Sequence, residues 1–216
     1  MAITVERFNQ GLTYDQYKAR LGRGPEAYER SEQLLEMSEQ DLAPFRGRSP
    51  FKVLVVVTET CPDVITNLPI LVRIGQETGN FDARIFLRDD NKDLMAQFMN
   101  GPYESVPVFA FFDDMFTLRG VFIERPRSVT ELREQRTRDL HASNPEFGAY
   151  GGSAAELAEP ARDRLRTATQ QMRDDTGTFY RRETIRELQD LVNAMSQSDS
   201  NARPLWVGNL MMPVPA

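Results

Sequence analysis

The stretch that most constrains the fold runs from Phe51 to Ile74. Val53 to Val57 is an unbroken run of strand length, rich in β-branched residues, as expected of a strand buried on both faces. Thr60-Cys61-Pro62-Asp63 follows, and then apolar residues at Val64, Ile65, Leu68, Leu71, Val72 and Ile74 mark a helix that Gly79 can end. Pro62 suits the first position of that helix. The only cysteine of 216 residues therefore sits where a strand hands over to a helix. Free backbone N–H groups and the positive end of the helix dipole favour a thiolate there. Glu59 and Asp63 oppose it if they lie close, so the sequence leaves the acidity of the thiol open.

One cysteine excludes a disulfide within the chain, and a single histidine beside it leaves little for a zinc site. No glycine-rich phosphate loop and no serine–histidine arrangement is present, so no cofactor is expected. The acidic pairs Asp89-Asp90 and Asp113-Asp114 fall at predicted strand ends, where turns prefer such residues, and neither reads as a metal site. His141 reads as a charge at the end of a helix. The net charge of −6 argues against a nucleic-acid or anionic-membrane surface. The sequence shows no N-terminal signal pattern and no long apolar run, which predicts a soluble, cytoplasmic protein.

Residues 1–50 read as a peripheral helical arm. Thr13-Tyr14-Asp15-Gln16 has the form of a capping box, and Gly22 and Gly24 stop the helix it opens. Pro25 can start another, and Ser38-Glu39-Gln40-Asp41 a short third before the linker Arg46-Gly47-Arg48-Ser49-Pro50. After the central βα unit, Phe81 to Leu87 alternates as a second strand, with Phe81, Ala83, Ile85 and Leu87 on one face. Asn91 can cap a helix holding Leu94, Met95, Phe98 and Met99. Val108–Phe112 and Thr117–Ile123 form a hairpin around Asp113-Asp114, and Ser128-Val129-Thr130-Glu131 has the form of a capping box for a helix ending near His141. Residues 51–141 are thus a β-α-β-α-β-β-α core. In residues 142–216, Leu157, Ala161, Leu165, Ala168 and Met172 line one helix face, and Thr176-Gly177-Thr178 breaks the helix. A second amphipathic helix carries Ile185, Leu188, Leu191, Val192 and Met195. Ser196 to Arg203 reads as without order. The apolar tail Pro204–Pro213 contains the only tryptophan, Trp206, and is expected to dock on its own chain or a partner.

The core order resembles the thioredoxin fold, an α/β class, here with helical N- and C-terminal extensions. Cys61-Pro62-Asp63 resembles the start of the Trp-Cys-Pro-Asp-Cys site of a thioredoxin-like family. Pro69 stands where thioredoxins carry a helix-kinking proline, and Pro107 where they carry the cis-proline that faces the active site. Arg84-Ile85-Phe86-Leu87-Arg88-Asp89 and Asn91-Lys92-Asp93-Leu94-Met95 also look like that family. The resemblance makes Cys61 the candidate catalytic nucleophile. It makes Thr60, Pro62, Asp63, Val106 and Pro107 candidate substrate contacts, the Val106 backbone pairing with an extended chain. Three departures bear on activity. Val64 replaces the resolving cysteine, Thr60 the tryptophan, and Val55 the buried acid that serves as a proton relay. A two-cysteine cycle within one chain is chemically excluded.

Two functions are expected from this pattern. One is monothiol thiol–disulfide exchange by Cys61, acting on a protein disulfide or on a low-molecular-weight thiol adduct of a protein. The other is a redox-inactive binding or adaptor protein that keeps the scaffold and an inert cysteine. The terminal helices and apolar tail are candidate surfaces for self-association.

Overall fold

A computed structural model describes residues 3–22, 25–199 and 202–211. Gly24, Pro213 and residues 200 and 201 of the stretch Ser196 to Arg203 lie outside the described residues. In chain order the helices are α1 (Val5–Phe8), α2 (Tyr14–Arg20), α3 (Pro25–Gln33), α4 (Glu39–Leu42), α5 (Pro62–Thr78), α6 (Lys92–Met95), α7 (Arg127–Ser143), α8 (Glu159–Asp175) and α9 (Gly177–Gln197). The strands are β1 (Phe51–Val57), β2 (Phe81–Leu87), β3 (Val108–Phe112), β4 (Leu118–Ile123) and β5 (Leu205–Gly208). They form one sheet in the order β2-β1-β3-β4-β5. β1 and β2 are parallel, with α5 as their crossover; β3 runs antiparallel to β1, and β4 to β3.

Local sequence explains the elements that carry the site. β1 is buried from Val53 to Val57, as its unbroken β-branched run requires. α5 starts at Pro62, keeps Pro69 inside it, and ends at Gly79, whose φ of 71° is the left-handed cap that glycine adopts without strain. Thr13 and Gln16 close the expected capping box of α2. At the hairpin turn Asp113 Oδ1 accepts from the backbone N–H groups of Met115 and Thr117, a turn role rather than a metal role.

Several expectations are corrected. Ser128 does not cap α7: Pro126 precedes the helix with no side-chain cap, and the Ser128 hydroxyl donates to Glu183 on α9 instead. Asn91 makes no capping bond either, and α6 is a single turn that stops at Met95, short of Phe98 and Met99. Leu157 lies before α8 rather than on it. α9 continues to Gln197, into the stretch read as without order.

The first fifty residues are not peripheral. Phe8, Tyr17, Tyr28, Leu42 and Phe45 belong to the same buried cluster as the sheet and as Ile185 to Met195 of α9. Leu12 bridges Ile85, so this arm covers the edge strand β2, which explains why Phe86 is buried on the face opposite Ile85. The apolar tail docks as a strand: β5 pairs parallel with β4, so α7, α8 and α9 together form a second crossover. Trp206 is half-buried, 6.3 Å from the Phe98 ring.

The close of β5 depends on Gly208. Its φ is 101°, and a Cβ there would lie 2.1 Å from the Ile123 carbonyl oxygen. Gly208→Ala is therefore expected to release β5, with a red shift of Trp206 emission and a loss of about 1–3 kcal/mol in chemical denaturation. Unchanged emission and stability would contradict the docking.

Candidate functional site

Cys61 is the N-cap residue of α5 and is half-buried; Thr60 and Pro62 beside it are exposed. The Val106–Pro107 bond is cis, and the Cys61 thiol donates to the Val106 carbonyl at 3.6 Å. The structure thus brings together five of the expected residues: Thr60, Cys61, Pro62, Val106 and Pro107. Val64, where a resolving cysteine would stand, is fully buried in the first turn of α5.

Asp63 behaves differently from the expectation of a substrate contact. Its residue is only 5% exposed, and its carboxylate is held from three sides. Arg125, just past β4, pairs with Oδ2. Arg133 of α7 donates to Oδ1 at 3.2 Å, and the Tyr180 hydroxyl of α9 donates to the same oxygen at 2.8 Å. The Arg133 guanidinium also lies over the Tyr180 ring, 4.7 Å from its centre. One turn further along α5, the buried Asn67 donates to the Glu124 carbonyl (2.8 Å) and the Tyr180 oxygen (2.9 Å), and accepts from Thr184 (2.9 Å). The sequence held one signal for this network. Asn67 interrupts the apolar stripe Val64, Leu68, Leu71, and a polar residue at a core position needs buried partners.

Glu124 joins this network to the cis-proline. Its φ of 67° is unusual for a residue with a side chain. Its N–H donates to the Pro107 carbonyl at 2.8 Å, and its carboxylate pairs with Arg125 at 2.7 Å and accepts from Asn209 at 3.1 Å. Asn209 and Met211 are in turn tied to Asn100, in the segment leading to Pro107. On the other side, the Tyr28 hydroxyl of α3 donates to the Glu59 carbonyl at 3.2 Å and lies 2.8 Å from the Tyr17 hydroxyl of α2. Burial pushes Tyr17 up to about 12 and Tyr28 higher still, so both remain neutral. The Cys61 loop is therefore braced by both ends of the chain.

The thiol itself is pushed up from its ordinary acidity, first by burial and then by the charges of Asp63 and Glu124. The backbone N–H groups of Val64 and Asp63 work the other way and do not outweigh them. Glu59, named as an opposing charge from the sequence, is not among these causes; Glu124, which sequence alone did not bring near, is.

No group of three or more His, Cys, Asp or Glu side chains among the described residues is placed to hold a metal ion. No helix among them is long and apolar enough to cross a membrane. A family model described as thioredoxin matches residues 11–138, more than half of the chain. The chain belongs to the thioredoxin family. The match begins inside the N-terminal arm and ends within α7, so Tyr180, Thr184 and Asn209 reach the site of this thioredoxin-family chain from beyond it. No curated protein matches the chain. Two solved structures share its fold. One is a crystal structure of a protein of unknown function from Pseudomonas aeruginosa, 19% identical, covering 90% of this chain and 99% of that one with a TM-score of 0.62. The other is the crystal structure of an HIV epitope-scaffold, 16% identical, covering 89% and 99% with a TM-score of 0.59. At such identities the likeness is one of fold alone.

The buried amide gives a direct test of the brace. Asn67→Ala leaves Thr184, Tyr180 and the Glu124 carbonyl short of partners, and is expected to cost about 2–4 kcal/mol in urea denaturation. A loss below about 0.5 kcal/mol would mean that the network contributes little.

Proposed function

We propose that this thioredoxin-family protein carries out monothiol thiol–disulfide exchange through Cys61, with the thiol as its resting form. The observation that carries the reading is the placing of the sulfur. It lies 3.6 Å from the carbonyl before the cis-proline, at the N-terminus of α5. An extended substrate chain pairing with the Val106 backbone would bring a disulfide to that sulfur. Cys61 loses its proton and the thiolate attacks one substrate sulfur; the substrate disulfide breaks, a mixed disulfide forms, and the departing substrate thiolate takes up a proton. Val64 cannot resolve the adduct, so release falls to an external thiol or to the substrate's own second cysteine. A protein disulfide, or a low-molecular-weight thiol adduct on a protein, fits this chemistry.

A second reading is favoured by one specific observation, the upward push on the thiol. A cysteine that stays protonated at neutral pH exchanges slowly, which suits a binding protein that uses the thioredoxin surface without redox turnover. One experiment separates the two. With oxidised glutathione at pH 8, the first reading predicts a Cys61–glutathione adduct that accumulates and is cleared only when an external thiol is added. Absence of the adduct in native protein, with Cys61 still modified after unfolding, would favour the binding reading.

Val64→Cys tests the geometry independently. Positions three apart on a helix are neighbours, about 5–6 Å between Cβ atoms. The introduced thiol is expected to form a disulfide with Cys61 and to clear the glutathione adduct without external thiol. A pair that never oxidises would show that the α5 start does not hold the spacing of a two-cysteine site.

A further inference from the structure

Asp63 presents an unusual case for a carboxylate in the first turn of a helix. Such groups ordinarily serve the free N–H groups of their own helix. Here the Asp63 carboxylate bonds to Arg125, Arg133 and Tyr180 instead. The backbone N–H groups of Asp63 and Val64 act on the sulfur, favouring its thiolate. The charges around this point also balance. Two carboxylates, Asp63 and Glu124, are matched by two guanidinium groups, Arg125 and Arg133, with Arg125 bonded to both acids. All four side chains are at most 21% exposed, so their charges act on the thiol through little solvent.

We propose that Asp63, Arg125, Arg133 and Tyr180 form one positioning unit for Cys61, in which the arginines offset the carboxylates beside the sulfur and Tyr180 holds Asp63 away from its own helix end. The inference rests on the thiol reading of the site given above. Its consequence is that the C-terminal extension sets the chemistry of a cysteine more than a hundred residues before it. The groups facing Cys61 are Asp63 on its own helix, Glu124 and Arg125 after β4, and Tyr17 and Tyr28 from the N-terminal arm. The two tyrosines are neutral, so the balance lies with the acids and Arg125. Arg133 and Tyr180 act through Asp63 and touch no substrate.

The test is the pH profile of Cys61 alkylation by iodoacetamide on the full chain, with folding checked by Trp206 emission. Arg125→Gln uncovers two acids and is expected to move the midpoint up, slowing alkylation about threefold or more at a fixed pH below it. Asp63→Asn removes an acid and is expected to speed it by a similar factor. The double variant should fall between the two. Tyr180→Phe keeps the buried ring and removes only the hydroxyl. It is expected to slow alkylation about twofold, and it carries the test if Arg125→Gln does not fold. Folded single variants with the wild-type midpoint would overturn the proposal, because a purely structural role would leave the profile in place. A shift in Arg125→Gln with none in Tyr180→Phe would also overturn it, by removing the extension from the unit. Alkylation reports the thiol whether or not a mixed disulfide forms. Midpoints that move as expected in a protein forming no glutathione adduct would therefore sink the exchange reading and uphold this one.

Discussion

Burial of Asp63 and Asn67 on the inner side of α5 is the constraint from which the rest of the architecture follows. A carboxylate or an amide taken out of water without partners costs several kcal/mol, and a carboxylate left unpaired costs more. Here each partner comes from a different element: Arg125 and the Glu124 carbonyl from the end of β4, Arg133 from α7, Tyr180 and Thr184 from α9. Those demands fix where α7 and α9 lie against α5, and α9 then delivers the chain to β5 beside β4. Glu124 accepts a backbone conformation that costs about 1–2 kcal/mol, and four hydrogen-bonding partners hold it there: Pro107, Asn67, Arg125 and Asn209.

Short-range signals were sufficient for the elements they specify. The β-branched run gave β1, proline and glycine bounded α5, the paired aspartates marked the hairpin, and Thr13 with Gln16 capped α2. The site was legible as far as it is local, from Thr60 to Pro62, and across the sheet only because Pro107 stands at a thioredoxin-like distance. What the sequence hid is long-range. Tyr180 and Thr184 each meet their α5 partners 117 positions apart, and no local pattern encodes such a pairing. Asp63 reads from the sequence as a candidate substrate contact, and only its distant partners show it to be a buried, paired carboxylate. Ser128 and Glu131 had the spacing of a capping box, but Pro126 already begins the turn and Ser128 is taken by Glu183. β5 was hidden because four residues are too few to show a period, so the tail reads as an apolar segment that docks, without the strand by which it does so.

The same network gives the thiol its character. In a two-cysteine thioredoxin a resolving thiol would stand beside the nucleophile; here that place is filled by Val64, packed and dry. Burial, Asp63 and Glu124 favour the protonated sulfur, which then donates to Val106. A hydrogen bond from the neutral form stabilises that form further. Cys61 is therefore held as a thiol whose hydrogen is engaged by the Val106 carbonyl.

The most direct measurement of this account is native-state hydrogen exchange resolved to single amides. If buried polar pairing makes α5 and α9 one cooperative unit, the amides of Val64 to Leu68 and those of Thr184 to Leu188 should open at the same free energy, near that of global unfolding. Amides of α9 that exchange through a much lower-energy opening, while α5 stays protected, would contradict it. The C-terminal extension would then be an appendage to a complete core, not part of what holds the cysteine.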